Sequence, residues 1–468
     1  MDYDEGRNLA VADAYKSVRG KLLATYKPGA PLVVLLPGGM GSQLDRSPTA
    51  FAGDPIAFDN YTVPWLSLDL LFRASGLTLG IDAQGEDTDG FIIVPDGPVE
   101  FALIPAYDGA QAYFQDVGYN YCVFGYDWRR PIQEAAVNLQ AFLSDLQADV
   151  QAQFAEDPLP RTTLMCHSQG GLVAKLFMHL PNTPGAAIQR LITVATPFYG
   201  TADTTPAFYF EGHPILNILY GAARVAPIMS SAPGPYALMP IDHATWLARG
   251  AMLGVAAYPV VDENRAPIDP YDVANMARYP SWVSQDYVSD ALLVRSTIDL
   301  DLPADLLAKV FHLRAESTAT LGRFRWAPLP AGYVAGQSAS NWGVDPMAPN
   351  GGTIAGDGTV PAYSAGLAQN LDKAKTITIA TLQQHSDLAE NTRFLTAARA
   401  IAETGVAPDP AVLAALPDTA YNAAARPKAA TSDIRGLLGD VAAGRADAND
   451  PRLAQADMAR GLIRELIK

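Results

Sequence analysis

Short apolar runs recur along the chain, from LVVLL at 32–36 through Tyr121–Phe124, Thr163–Met165, Leu191–Val194, Val310–Leu313 and Ile377–Ile379. A strand with one wet face alternates apolar and polar positions, whereas a short run without alternation reads as a strand buried on both faces. Between several of these runs the apolar positions fall three and four residues apart, as in AAVNLQAFLSDLQADVQAQF and GGLVAKLFMHL, the period of an amphipathic helix. Strand and helix in alternation predict an α/β fold, a mostly parallel sheet with helices on both faces. Ahead of the first run, Leu9, Val11, Ala14, Val18, Leu22 and Leu23 share helical spacing and predict an opening helix over 5–25, docked on its own domain.

Two stretches break the alternation, at about 45–118 and about 198–305, both rich in Pro, Gly and aromatic residues. Connections that long inside a compact fold are typically lids, so both are expected as cap insertions over the working end of the sheet. The expected organisation is an N-terminal helical segment at 1–30, an α/β domain at 31–405 carrying the two caps, and a C-terminal helical extension at 406–468. The extension is Ala-rich, with Pro408, Pro410, Pro417 and Pro427, and its last segment puts Leu453, Met458, Leu462, Ile463 and Leu466 on one helical face.

Composition narrows the class. Of 468 residues, 49% are hydrophobic and 18% charged, which supports a sizeable core rather than disorder. A net charge of −16 without a long basic run excludes a nucleic-acid partner and electrostatic docking on anionic membranes. Transient membrane contact, through the cap or the terminal helices, would therefore be apolar. The two cysteines, Cys122 and Cys166, lie in apolar runs and give no disulfide framework. The first residues carry acidic groups and no signal-peptide core, and no window approaches a spanning helix, so a cytoplasmic protein is expected. No His, Cys and carboxylate cluster has ligand spacing, and neither a metal nor a cofactor is implied.

One segment carries chemistry. A serine hydroxyl is a poor nucleophile at neutral pH, so acyl transfer needs a base for its proton, an acid to orient that base, and donors for the oxyanion. TTLMCHSQGGLVAKLF runs strand, sharp turn, helix with Ser168 at the apex, the context of a nucleophile elbow. Cys166 replaces the first Gly of G-x-S-x-G; it is small and accepts burial. His167 points away from the serine in such a turn and reads as structural. The chain order nucleophile, acid, histidine puts the base in a loop after the last core strand. Of six histidines only His385, in KTITIATLQQHSDLAEN, is so placed; His179 is expected at the surface, His312 in the core, and His213 and His243 in the cap.

The acid should lie between Ser168 and His385. Asp357, flanked by glycines in GGTIAGDGTVPAYSA, is favoured over Asp345 and Asp387. The oxyanion donors expected are the backbone N–H groups of Gln169 and of Gly39 in LPGGMG, with Met40 as the fallback. These parts in this order predict an α/β-hydrolase fold. Asp127, Trp128 and Arg129 read as scaffold, Arg129 pairing with a carboxylate.

Taken together, LLPGGMGSQL, VPWLSLDLL, YDWRRP, CHSQGG, VATPFYG, SSAPGPYALMP, GDGTVP and QQHSDLAEN resemble, in order, the lecithin:cholesterol acyltransferase and lysosomal phospholipase family. The resemblance covers residues from about 32 to 400. It implies Ser168, Asp357 and His385 as triad, Gly39 and Gln169 as oxyanion donors, a lipid acyl substrate, and Trp65 near the acyl site; Met40 is expected with Trp65 among the substrate contacts. The chain departs from the pattern at Cys166 and Gln169, where relatives often show Gly or Ala and Met, and lacks the cysteines of the secreted members' cap disulfide. The leading expectation is a lipase or phospholipase using a lipid or other hydrophobic ester. The alternatives are an acyltransferase passing the acyl group to an alcohol such as a sterol, and a non-catalytic scaffold. Oligomeric state stays open.

Overall fold

The LVVLL run forms β1 (Leu32–Leu36), with every residue fully buried. The computed structural model describes residues 3–50, 79–82, 84–88, 91–101, 104–154, 161–181, 188–202, 222–255, 257–334, 342–345, 347–370 and 374–421. Trp65, His213 and the apolar face at 453–466 lie outside them.

After β1 the chain makes an antiparallel pair, β2 (Ser42–Ala50) and β3 (Phe91–Pro98). It then forms β4 (Asn120–Val123), β5 (Thr162–His167), β6 (Arg190–Val194) and β7 (Val310–Arg314). A second antiparallel pair, β8 (Thr318–Leu321) and β9 (Thr353–Gly356), precedes β10 (Thr376–Thr378). The six-stranded sheet runs β10-β7-β6-β5-β1-β4, with every neighbouring pair parallel. Successive side chains of a strand face opposite sides, so the unbroken burial of β1, β4 and β5 means that both faces of the sheet are covered.

The helices of the described residues include α1 (Tyr3–Leu23), α2 (Asp108–Asp116), α3 (Ile132–Gln153), α4 (Gln169–Phe177), α5 (His243–Leu253), α6 (Gln285–Asp299) and α7 (Thr392–Thr404). Helices α3 and α4 pack on each other, α2 on β4, and α7 on β6. Parallel sheet, strand order and helix cover make an α/β-hydrolase fold. None of the described helices is long and apolar enough to cross a membrane.

The opening helix buries Val11, Val18 and Leu22, as its aliphatic spacing marks, but not Leu9, and it adds large polar residues to the buried face. Leu9 is 57% exposed, whereas Tyr3, Arg7, Tyr15 and Arg19 are buried beside Val11, Val18 and Leu22. Arg7 pairs with Glu134 at 2.6 Å and Arg19 with Asp149 at 2.8 Å, both partners on α3. Tyr15 stacks on Phe124 with centroids 4.9 Å apart. Arg and Tyr bury long apolar stems while their polar tips find partners, which an aliphatic count does not register.

Polar ties hold α6 and the residue after it to the chain at 198 and 237 and to α4. The buried Arg295 of α6 donates to the carbonyls of Phe198 and Ala237, both at 2.8 Å. Lys175 of α4 donates to the Leu300 carbonyl at 2.6 Å and lies 2.7 Å from His179 Nε2. His179, expected at the surface, is therefore half-buried with a partner.

His312, on β7, is fully buried, with Nδ1 2.8 Å from the Thr193 hydroxyl. Burial, with a lesser push from Arg314 and Lys175, lowers its pKa to about 3. The unfolded chain, with an ordinary histidine, binds the proton that the fold refuses, so this contribution is complete above about pH 6.5 and is lost as pH falls from there toward 3. Between pH 7 and 5 the wild type should lose about 2 kcal/mol through this group. In urea unfolding at both pH values, His312→Gln should lower stability at pH 7 yet show the smaller drop; an unchanged pH difference would refute the assignment.

Candidate active site

Strand register builds the site. β5 pairs with β1 so that Cys166 lies opposite Leu36, and with β6 so that His167 lies opposite Val194. The chain leaving β1 therefore runs beside the turn that leaves β5, at the carboxyl end of the sheet, where open α/β sheets place their ligands. Ser168 sits in that turn at φ 50° and ψ −124°, with its N–H donating to the Val194 carbonyl at 2.9 Å. A non-glycine residue holds such a conformation only when its surroundings enforce it.

The enforcement comes from close packing. A side chain at Gly170 would strike the carbonyls of Leu36 and Pro37, and one at Gly171 would strike Thr196. These glycines let α4 start directly against β1 and β6. Cys166, in place of the usual first glycine, is fully buried, and burial raises its thiol well above the ordinary range. The other thiol, Cys122, is pushed up to about 12 by burial. Neither is a thiolate at neutral pH, the form in which a cysteine acts as a nucleophile.

The loop after β1 folds back over the elbow. A turn closes with Gly41 N–H donating to the Gly38 carbonyl at 3.0 Å, and Met40 within it takes φ 64°. A side chain on Gly38 would lie 3.1 Å from Ser168 Cβ, and one on Gly39 would lie 3.0 Å from Gln169 Oε1. The Gly38 N–H is used by the Tyr107 hydroxyl at 3.0 Å. Among the described residues the N–H groups of Gly39 and Gln169 have no intramolecular acceptor. That of Gln169 is the first of α4, which helix geometry leaves unused.

The Gln169 side chain is spent on structure. Its Nε2 donates to the Gly234 carbonyl at 2.9 Å, and Gly234 N–H donates to the Arg129 carbonyl at 2.9 Å. This ties SSAPGPY and YDWRRP to the elbow.

Asp357 and His385 meet below 3 Å, with Asp357 Oδ2 at 2.8 Å from His385 Nδ1 and each residue 2% exposed. Asp357 follows β9, and its other oxygen accepts from the N–H groups of Val360 at 2.7 Å and Thr359 at 3.0 Å. His385 opens a 3₁₀ turn (His385–Glu390), and its own N–H donates to the Asp357 carbonyl at 3.0 Å. A carboxylate held by three hydrogen bonds, two from backbone, has one orientation available to it. Gly358, at φ 95°, supplies the bend and donates to Thr320 of β8 at 2.8 Å. Asp345 instead lies 3.6 Å from Arg265 and 3.8 Å from Arg323, remote from the His385 hydrogen bonds.

His167 contacts the same loop by another route. Its Nε2 lies 3.0 Å from the His385 carbonyl and its Nδ1 3.1 Å from the Tyr107 hydroxyl. Tyr107 had no sequence signal, being a single aromatic residue in a stretch read as cap. His243 starts α5 and packs against the Tyr258 ring.

No protein-family model matches the chain, and no curated protein does. Solved structures with a similar course include the Tle4–Tli4 complex, at 13% identity over 94% of this chain and 99% of that one, with a TM-score of 0.46. The mature lipase BlEst2 of Bacillus licheniformis has 13% identity, coverage of 77% and 86%, and a TM-score of 0.33. Phospholipase PlaB of Legionella pneumophila has 18% identity, coverage of 32% of each chain, and a TM-score of 0.21. These are distant likenesses, and the chemistry of this chain has to be read from its own residues.

Proposed function

We propose that this chain is a serine-dependent acyl-ester hydrolase acting on lipid esters. The observation that carries the reading is the buried 2.8 Å contact between Asp357 and His385, with the strained Ser168 elbow at the carboxyl end of the six-stranded sheet. In the reaction, His385 Nε2, the ring nitrogen not engaged by Asp357, takes the Ser168 proton as Oγ attacks the ester carbonyl. Asp357 holds the ring and stabilises the imidazolium that forms. The oxyanion is received by the N–H groups of Gly39 and Gln169, which have no other acceptor to give up. Collapse expels the alcohol, protonated by His385, and leaves an acyl-enzyme. Water activated by the same histidine then releases the acid.

The lipid assignment is supported by the ordered motif set, YDWRRP and GDGTVP above all, which pairs the hydrolase core with the sequence pattern of lipid acyl enzymes. Incubation with a total lipid extract followed by mass spectrometry of the Ser168 peptide should yield a long-chain acyl adduct. An adduct formed only from short-chain esters would leave a general esterase. Product analysis with and without an added sterol or fatty alcohol separates hydrolysis from transfer, and free acid is expected to dominate in both.

A further inference from the structure

The geometry points to Tyr107 and His167 as positioning residues, a one-way chain of hydrogen bonds that sets the oxyanion loop and the histidine loop relative to Ser168. The inference deepens the acyl-enzyme reading above and rests on it.

Each link has one permitted direction. A carbonyl only accepts, so the 3.0 Å contact between His167 Nε2 and the His385 carbonyl requires the proton on Nε2. Burial, and next to it the neighbouring His385, lowers the His167 pKa to about 3, so the ring is neutral and has no second N–H. Nδ1 is then an acceptor, and the Tyr107 O–H, 3.1 Å away, is its donor. With that proton committed, the Tyr107 oxygen is free to accept the Gly38 N–H at 3.0 Å. Gly38 N–H to Tyr107, Tyr107 O–H to His167, and His167 N–H to the His385 carbonyl form a single polarised path.

The path joins four segments distant in sequence. At one end the Gly38 bond anchors the turn whose next residue, Gly39, offers its N–H to the oxyanion. At the other it fixes the backbone of His385, whose ring and N–H are both tied to Asp357. In the middle, His167 adjoins the nucleophile itself. A second brace runs parallel, with Gly109 N–H, in the first turn of α2, donating to Glu390 Oε1 at 2.9 Å at the far end of the histidine turn. Tyr107 holds φ 65° at the start of α2 and is 4% exposed. Burying a strained residue with its hydroxyl shared between two loops is what a positioning role requires, since filler could be phenylalanine. His167 likewise has both nitrogens engaged and none left to act as a base.

The test compares Tyr107→Phe, His167→Leu and His167→Gln with wild type, using a medium-chain p-nitrophenyl ester for turnover and a fluorophosphonate for active-site titration. Tyr107→Phe keeps the ring and should lower kcat by roughly 10- to 100-fold through misplaced donors, with KM within about twofold of wild type. Titration should still reach one label per chain, more slowly. His167→Gln, whose amide can donate to the His385 carbonyl, should recover part of the kcat that His167→Leu loses. A folded Tyr107→Phe protein with wild-type kcat would overturn the inference, as would a rise in KM alone. Should Tyr107→Phe not fold, equal kcat for His167→Gln and His167→Leu overturns it instead. Absence of label on wild-type Ser168 is a different failure, which removes the acyl-enzyme reading and this inference together.

Discussion

Ser168→Ala is expected to lower ester turnover by about 10⁶-fold, and His385→Ala by a similar factor, because each removes a part without which the other does nothing. The double variant should be no worse than either single one. Asp357→Asn should cost about 10⁴-fold, since the amide presents an N–H where His385 needs an acceptor and so favours the wrong tautomer. None of these variants touches the N–H groups of Gly39 and Gln169, so on the proposed reading a residual rate above the uncatalysed one should persist. The readout is kcat/KM on a p-nitrophenyl ester with folded protein confirmed by circular dichroism. Retention of more than about one part in 10³ of activity by Ser168→Ala would point to another nucleophile. Both thiols are poor candidates, being buried and raised in pKa.

The largest expected loss of stability comes from Arg129→Met. Arg129 is wholly buried, with Nη2 at 2.7 Å from Asp127 and 2.9 Å from Asp87, Nε donating to Asp127 at 2.9 Å, and Nη1 donating to the Leu79 carbonyl at 3.2 Å. Asp87 also accepts from the Tyr3 hydroxyl at 2.7 Å, so the cluster secures α1 as well. Methionine fills similar volume but leaves two buried carboxylates without their central cation. Breaking a buried pair this way costs about 3–5 kcal/mol, which urea unfolding at pH 7 should register. Arg129→Lys should restore little, because a single ammonium lacks the planar fork that holds Asp127 through two nitrogens while reaching Asp87 and the Leu79 carbonyl.

The Asp127 carboxyl gives that prediction a pH signature. Burial alone would raise its pKa, but Arg129, Arg130 and Arg7 outweigh it and hold the group below the usual carboxylate range. Its contribution is therefore complete above the unfolded value of about 4 and is lost as pH falls through the lowered native one. Arg129→Met should remove that acid-side dependence along with the stability. A loss under about 1 kcal/mol at pH 7 would mean that the carboxylates find other partners.

The sequence by itself determined what is local or ordered along the chain. Apolar runs without alternation marked the strands of the sheet, and the three- and four-residue spacing marked α3 and α4, because both periods are properties of single elements. The turn signal at Asp357 was legible for the same reason, since Gly358 at φ 95° answers to a local backbone constraint, whereas the glycines at 170 and 171 were legible as a motif but clear Leu36, Pro37 and Thr196, which only the fold brings near. Apart from Asp357 and His385, which chain order paired, tertiary structure alone decided which remote groups meet. Arg129 could be assigned a carboxylate from its type, but not Asp87, and the burial of Arg7 and Arg19 on α1 depended on Glu134 and Asp149 of another helix. His167 stands 60 positions from Tyr107 and 218 from His385, separations over which no period or motif operates. A side chain's hydrogen-bond partner is set by sheet register and helix packing across the whole domain, so the links around Ser168 exist only once the fold has closed.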